Sequence, residues 1–233
     1  MSMKTIGILG GMSAASTQVY YRALCQKTQK LLGGLNSPEL LIRSINFAVI
    51  EVLQAQGKWD EAGVILNREA KALEYGGADF ILLATNTMHK ISDQMMDGVS
   101  IPLLHIADAT ATSIIEGGFS RPALMATAFT MEQTFYTERL VAAGLKPIIP
   151  EPADRAETHR IIYEELCKDI ITSDSETEYK VIAGRLVDQG ADCLILGCTE
   201  IGMLLNSKNV PVPVFDTTVI HCEAALKYAL STD

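Results

Sequence analysis

The segment Gly-Cys-Thr-Glu at residues 197–200 places a thiol and a carboxylate two residues apart, directly after an apolar run. A cysteine acts as a base when neighbouring donors lower its pKa from about 8.5 and make it a thiolate at rest. Polar residues at the end of a buried strand lie where functional groups concentrate. We therefore predict that Cys198 is catalytic and that Thr199 and Glu200 lie in its site.

A second polar segment, Thr-Asn-Thr-Met-His at residues 85–89, also follows an apolar run. Gly-Ala-Asp precedes both runs, at residues 77–79 and 190–192, which are 113 residues apart. Other segments repeat in the same order at separations of 111 to 117 residues. The repetition predicts two related halves in which residues 85–89 and 197–200 are equivalent.

Apolar runs typical of buried strands alternate along the chain with amphipathic stretches typical of helices. The strands are predicted at residues 5–9, 40–46, 80–84, 102–106, 123–126, 146–149, 193–196 and 212–215. This alternation is typical of a parallel sheet covered on both faces. We predict an α/β fold of two pseudo-symmetric Rossmann-like halves, each a mainly parallel sheet flanked by helices, with the active site in the cleft between them.

The first half is predicted to take residues 1–104 and 210–233, and the second to take residues 105–209. Ligands of open α/β sheets bind outside the carboxyl ends of the strands. That location selects four loops, at residues 10–17, 85–89, 127–131 and 197–200. Facing loops suit proton exchange at one carbon, because a group on one side removes a proton and a group on the other supplies one.

These loops, together with Gly-Gly-Met-Ser at residues 10–13, resemble the motifs of the aspartate/glutamate racemase family. The likeness covers essentially the whole chain and includes residues 129–132 and 214–217. The resemblance implies racemisation of aspartate or glutamate by proton abstraction at Cα, without pyridoxal phosphate (PLP). The family places a cysteine in each of the two loops, whereas this sequence has Thr85 at the first position and Cys198 at the second.

The resemblance and the position of the polar residues at the strand ends together predict their roles. Cys198 and Thr85 are the catalytic pair, and the cysteine of the second half takes the proton from the L enantiomer, which is therefore the predicted better substrate. Glu200 tunes the thiol or contacts the amino group. The predicted substrate-binding residues are Met12, Ser13, Asn86, Thr87, Thr127, Thr130, Thr199 and Glu200. A homodimer is the assembly expected from the family.

Several other interpretations stay open at this point. The same scaffold suits hydantoin racemisation, maleate isomerisation or decarboxylation, and a non-catalytic amino-acid-binding protein would keep the same cleft. Turn and helix-cap chemistry is the alternative role for short polar residues such as Thr127, and hydrogen bonding within the fold is the alternative for His89. A nucleotide-binding module is disfavoured, because the sequence has neither a dinucleotide fingerprint nor a P-loop lysine.

Composition limits the partners of the chain. The 233 residues carry a formal net charge of −9 at pH 7, which disfavours nucleic acid and anionic membranes. The same charge repels an acidic small molecule, so its site must be locally positive or rich in backbone N–H donors. The spacing of the five cysteines indicates neither a disulfide framework nor a metal site. Because neither a signal peptide nor a membrane span is predicted, we expect a cytoplasmic protein. We expect no metal because of the cysteine spacing, and the resemblance to the family implies no cofactor.

Overall fold

The computed structural model describes residues 3–231, and the chain divides into two compact units. The first unit takes the chain up to Ile106 and again from His221 onward, and the second is Ala107–Ile220. Each unit contains a parallel sheet flanked by helices, which confirms the predicted fold class of two α/β halves. Within residues 3–231, no helix combines the length and the apolar character that a membrane span requires.

The strands of the first unit are β1 (Ile6–Gly10), β2 (Leu40–Ser44), β3 (Phe80–Leu83) and β4 (Leu103–Leu104). They form one sheet in the order β2-β1-β3-β4, and every neighbouring pair is parallel. The helices that begin in this unit are α1 (Ala14–Leu32), α2 (Phe47–Ala55), α3 (Trp59–Tyr75), α4 (Ser92–Met95) and α5 (Ile106–Glu116), with a 3₁₀ helix at Thr87–Ile91.

The strands of the second unit are β5 (Pro122–Met125), β6 (Cys193–Leu196) and β7 (Val214–Asp216), which form a parallel sheet in that order. The helices that begin in this unit are α6 (Ala128–Glu132), α7 (Thr134–Ala142), α8 (Pro152–Glu164), α9 (Ser173–Asp188) and α10 (Thr217–Ala229), with 3₁₀ helices at Leu166–Lys168 and Thr199–Met203. The chain passes from one unit to the other within α5 and again within α10.

Alternate residues of the central strands in the first sheet pack on opposite faces. Ile8 and Leu82 belong to a core cluster that includes residues of α1 and α10, whereas Leu9 belongs to a cluster that includes residues of α3. Every residue of β1 and β3 is buried, as expected for strands covered on both sides. The apolar runs of the sequence predict these strands because neither face of the sheet requires polar side chains.

The two sheets share one strand order. Ile148 forms a parallel bridge to Ala123 of β5, in the place that β2 takes beside β1. The sequence predicts a full strand at residues 146–149, but only this bridge forms. Pro147 has no N–H to donate and Pro150 follows directly, and proline in a strand is confined to edges and strand ends.

The C-terminal boundary between the units differs from the predicted one. Residues 210–233 are predicted to lie in the first half, but β7 pairs with β6 and so lies in the second sheet. Helix α10 follows β7, and its later residues pack in the core of the first unit. Strand pairing decides where β7 lies, and similarity between the halves contains no information about that pairing.

Candidate active site

Cys198 lies just past the carboxyl end of β6, where the chain enters the 3₁₀ helix at Thr199–Met203. Its Sγ donates a hydrogen bond to Oε2 of Glu200 at 3.0 Å. Glu200 is only 4% exposed, and Cys198 is partly buried. A glycine is needed before the thiol, because a Cβ on Gly197 would lie 2.8 Å from Cβ of Ala126. The predicted thiol and carboxylate are therefore in direct contact.

The surroundings of Cys198 favour the thiol over the thiolate. Burial raises the pKa of Cys198 well above its ordinary value, and the negative charge of Glu200 raises it further. Burial and the same carboxylate raise the pKa of Cys167 to about 12. The sequence predicts a resting thiolate, but the structure places a buried carboxylate against the sulfur, where a lowered pKa would require hydrogen-bond donors. Among residues 3–231, no group of three or more His, Cys, Asp or Glu side chains is arranged to hold a metal ion.

Replacing Glu200 by glutamine is expected to lower the pKa of Cys198, because its charge is the largest contribution after burial. At mildly alkaline pH the thiolate fraction then rises, and alkylation of Cys198 by iodoacetamide should become about tenfold faster, equivalent to about one pKa unit. Mass spectrometry of the labelled peptide measures this rate. Glu164→Gln removes an exposed carboxylate as the matched control. An equal acceleration in both variants would contradict the assigned role of Glu200.

A second hydroxyl lies beside the Cys198 loop. Oγ1 of Thr218 is 3.3 Å from Oγ1 of Thr199, which follows the thiol directly. Asp216 fixes this end of α10 by accepting a hydrogen bond from the N–H of Thr218 at 2.8 Å. Thr218 is absent from the predicted site residues, and its only signal in the sequence is its position just after an apolar strand.

The loop after β5 is organised as a helix cap. Thr127 is the N-cap of α6, and its Oγ1 accepts a hydrogen bond from the N–H of Thr130 at 3.4 Å. Thr130 is fully buried, and its hydroxyl lies 3.2 Å from that of Thr127. The N–H of Ala128 donates to Nδ1 of His159 at 3.2 Å, a contact that sequence analysis did not predict. This geometry is capping geometry, and the substrate-binding role of both threonines stays a prediction.

The backbone of the segment after β3 is hydrogen-bonded to the side chain of His89. Thr85 is partly buried, whereas Asn86 and Thr87 are buried. Nδ1 of His89 lies 2.7 Å from the carbonyl oxygen of Thr85, and the N–H of Ile106 donates to Nε2 at 3.3 Å. Since Nε2 accepts a hydrogen bond, Nδ1 must hold the proton of a neutral ring. His89 therefore supports the backbone that carries Thr85, which is the structural alternative considered from the sequence.

His221 is a second buried imidazole of the first unit. Its Nε2 donates to the carbonyl oxygen of Leu104 at 2.8 Å, and its Nδ1 accepts from the hydroxyl of Tyr20 at 2.9 Å. Burial lowers the pKa of His221 to about 4. Both ring nitrogens are thus engaged within the fold, and His221 stabilises the unit as a neutral group.

Because His221 is held neutral, the protein is expected to lose stability in acid. Its pKa is 6.5 in the absence of perturbation and about 4 in the folded chain. The stabilisation is therefore complete above pH 6.5 and is lost as the pH falls towards 4, by about 3 kcal/mol. Denaturant unfolding at neutral pH and at about pH 4.5 measures this difference. His221→Gln should make the difference smaller, and an unchanged difference would assign the acid sensitivity to other groups.

The loop after β1 is shaped by a close backbone contact. Gly11 has a φ of +90°, and a Cβ there would lie 2.2 Å from the carbonyl oxygen of Ile45. Only glycine fits such a position. Met12, which follows, is 6% exposed and packs in the core cluster that contains residues of α3. The loop is thus pressed against the end of β2, and the substrate-binding role of Met12 stays a prediction.

Two serines connect this loop to the segment that carries Thr85. Ser13 is the N-cap of α1, and its side chain accepts a hydrogen bond from the N–H of Ser16 at 3.2 Å. The hydroxyl of Ser16 donates to the carbonyl oxygen of Ala84 at 3.3 Å, one residue before Thr85. No local pattern in the sequence marks Ser16, because its partner is 68 residues away.

Thr85 and Cys198 occupy equivalent positions in the two sheets. Phe80 of β3 pairs with the first residue of β1, and Cys193 of β6 pairs with the first residue of β5. Phe80 and Cys193 are 113 residues apart, and Thr85 and Cys198 have the same separation. The strand register therefore reproduces the duplication seen in the sequence.

Two α/β halves of one strand order, with a thiol and a hydroxyl at equivalent strand ends, define a duplicated α/β protein. The chain belongs to the Asp/Glu/hydantoin racemase family, which it matches over residues 9–225. The family predicted from the sequence is therefore confirmed.

Individual relatives align with nearly the whole length of this chain. The structure of a proposed Asp/Glu racemase from Yersinia pestis is 46% identical, with a TM-score of 0.92, and covers 98% of this chain and 100% of its own. An aspartate racemase homologue from Pyrococcus horikoshii OT3 is 34% identical, with a TM-score of 0.86 and the same coverage. Broad specificity amino-acid racemase RacX from Bacillus subtilis (strain 168) is 24% identical over 97% of this chain and 98% of its own length. Racemases are isomerases, so the predicted enzyme class is confirmed as well.

Proposed function

We propose that this chain interconverts the enantiomers of aspartate, glutamate or both, with Cys198 as the base and without PLP. The observation that carries the proposal is the 3.0 Å contact between Sγ of Cys198 and Oε2 of Glu200 at the end of β6. Racemisation requires a group that exchanges a proton at Cα, and a thiol with an adjacent proton acceptor is such a group. Membership of the family supports the same class of reaction.

The pair of Cys198 and Glu200 suggests how the thiol becomes a base. In the free chain the sulfur keeps its proton and donates a hydrogen bond to Glu200. A bound amino acid brings an ammonium group, and a positive charge near the sulfur favours the thiolate. The proton of Cys198 then leaves to water, and the thiolate takes the proton from Cα. N–H and hydroxyl donors stabilise the enolate-like charge that remains on the substrate.

In this proposal Thr85 acts on the face of Cα opposite to Cys198, because the two residues are equivalent in the duplicated halves. The alkoxide of a threonine is not formed at neutral pH, so Thr85 relays a proton from water. His89 does not take its place as a base, since both nitrogens of the ring are hydrogen-bonded within the fold. This difference between a thiol and a hydroxyl predicts unequal rates for the two enantiomers.

The carboxylates and the ammonium group of the substrate are proposed to bind to short side chains and backbone N–H groups at the strand ends. The side chains are Met12, Ser13, Asn86, Thr87, Thr127, Thr130, Thr199 and Glu200. The L enantiomer is proposed as the better substrate. A homodimer and a cytoplasmic location remain predictions from the sequence.

Deuterium exchange at Cα tests the proposed function. The protein is incubated in D₂O with each enantiomer of aspartate and of glutamate and with no added cofactor. Proton NMR follows the loss of the Cα signal, and chiral chromatography follows inversion. We expect exchange coupled to inversion for at least one acidic amino acid. Affinity without exchange would identify a non-catalytic amino-acid-binding protein, and turnover confined to hydantoins, maleate or malonates would identify another reaction.

A further inference from the structure

The first unit contains a pocket of about 420 Å³ that shares no residue with the candidate active site. Its volume is in the range of small-molecule sites, about 300–1,000 Å³. It lies at the carboxyl end of β2, between α2 and α3. Its lining residues are Arg43, Ser44, Ile45, Asn46, Val49, Ile50, Ile65, Arg68 and Glu69.

A buried carboxylate fixes two arginines at this pocket. Glu69 is 4% exposed, and its Oε1 accepts hydrogen bonds from Nε and Nη2 of Arg68 at 2.9 and 2.7 Å. Its Oε2 accepts from Nε of Arg43 at 2.7 Å and also from Nη2 of the same residue. Burial alone would raise the pKa of Glu69, but the two guanidinium groups hold it below its ordinary value. Both carboxylate oxygens are thus occupied, and the group stays charged.

The arginines keep donors that the fold does not use. Each guanidinium binds Glu69 through Nε and Nη2, and neither Nη1 has a hydrogen-bond partner among residues 3–231. The side chains of Arg43 and Arg68 are 52% and 73% exposed, so solvent and small solutes reach them. Two guanidinium groups and one carboxylate leave a net charge of +1, on a chain whose formal charge is −9.

The rest of the lining indicates what accompanies the anionic group. Val49 and Ile65 provide aliphatic surface. Oδ1 of Asn46 already accepts a hydrogen bond from the N–H of Ala48, and Glu69 is fully paired, so the pocket offers no unpaired carboxylate to an ammonium group. We propose that this pocket binds the carboxylate of a small aliphatic acid that has no amino group, through Arg43 and Arg68. The pocket shares no residue with the candidate active site, and this proposal does not depend on the proposed reaction.

The pocket adjoins the loop after β1. The N–H of Ile45 donates to the carbonyl oxygen of Gly10 at 3.1 Å, and Ile45 also blocks any side chain at position 11. Ile45 and Ile50 pack in the same cluster as Met12. The pocket and the loop that contains Met12 are therefore adjacent.

Titration with butyrate tests the proposal on the full chain. Isothermal calorimetry of the wild type and of the variants gives the affinity, and the loss of affinity when a lining side chain is replaced gives the location. Arg68→Gln removes an exposed guanidinium and is expected to weaken butyrate binding about tenfold or more. Arg185→Gln is the matched control, because Arg185 binds Asp154 through Nε and Nη2, both at 2.8 Å, on the second unit.

Further arms separate the possible outcomes. Glu69→Gln makes the local charge more positive, so it should tighten butyrate binding, provided that thermal unfolding shows the variant to be folded. Arg43→Gln should weaken butyrate binding as Arg68→Gln does. If Glu69→Gln fails to fold, Arg43→Gln provides the second test of the local charge. The part of L-aspartate binding that is lost in Arg68→Gln should be weaker than butyrate binding, because the ammonium group of L-aspartate finds no carboxylate in the pocket. Equal losses in Arg68→Gln and Arg185→Gln, equal affinity for inorganic phosphate, or no saturable binding to the wild type would overturn the proposal. None of these measurements uses turnover, so failure of the proposed reaction is separately visible.

Discussion

Cys198→Ser is expected to reduce Cα deuterium exchange from L-aspartate or L-glutamate by about 10²- to 10⁴-fold, the range that a positioned general base contributes. A serine hydroxyl retains the size and the hydrogen bond to Glu200, but it does not form an alkoxide near neutral pH. The fold should survive, because the residue is only partly buried and lies at a strand end. Initial-rate proton NMR in D₂O measures the effect.

Two other cysteines provide the controls for this result. Cys25 lies on α1 and is partly exposed, so Cys25→Ser removes a thiol of the first unit and should leave exchange within about twofold of wild type. Cys167 shares with Cys198 the charge of Glu200, so Cys167→Ser tests whether a neighbouring thiol substitutes as the base. Near wild-type exchange in Cys198→Ser, or a loss only in Cys167→Ser, would show that the base is misassigned.

The second large effect is a difference between enantiomers. At saturation, the wild-type protein is expected to exchange Cα–H of the L form at least about a hundredfold faster than Cα–H of the D form. The reason is that Cys198 can become a thiolate base, whereas the hydroxyl of Thr85 does not form an alkoxide near neutral pH. Thr85 exchanges protons with water only as a relay. The assignment of L to the cysteine side rests on the resemblance to the family. Equal rates would show a competent second base, and a faster D form would reverse the assigned faces.

Thermodynamics restricts the form that this asymmetry takes. Enantiomers in achiral water have equal free energies, so the equilibrium ratio is one whatever the enzyme does. A slower reverse rate at saturation must therefore be balanced by tighter binding of the D form. Product inhibition by the D enantiomer is the expected consequence, and progress curves from the pure L form reveal it.

Thr85→Cys tests the same asymmetry by restoring a thiol at the equivalent position. A thiol there is a far stronger acid than the hydroxyl, so exchange of the D form should rise by about tenfold or more. Thr217→Cys is the matched control, because Thr217 is a buried threonine of the second unit whose hydroxyl donates to the carbonyl oxygen of Leu196. A folded Thr85→Cys protein with unchanged rates for both enantiomers would contradict the pairing of the two loops.

Local patterns in the sequence determined much of this protein. The apolar runs predict β3 and β6 to within a residue, because strands buried on both faces need no polar positions. The repeated Gly-Ala-Asp segments reveal two related halves, and the motif at residues 197–200 brings Cys198 and Glu200 together because they are two residues apart. Such features depend on neighbours along the chain, which is why a single sequence contains them.

Tertiary structure alone decided the charge states and the partners of the buried groups. The thiol of Cys198 is protonated because it is buried and because the carboxylate of Glu200 contacts it. The residue types of the loop do not determine the direction in which the Glu200 side chain points. His221 forms a hydrogen bond with Tyr20, which is 201 residues away in the sequence, and Glu69 forms hydrogen bonds with Arg43, which is 26 residues away. A pKa and a hydrogen bond depend on distance and desolvation in space, so these properties are fixed only when distant segments pack.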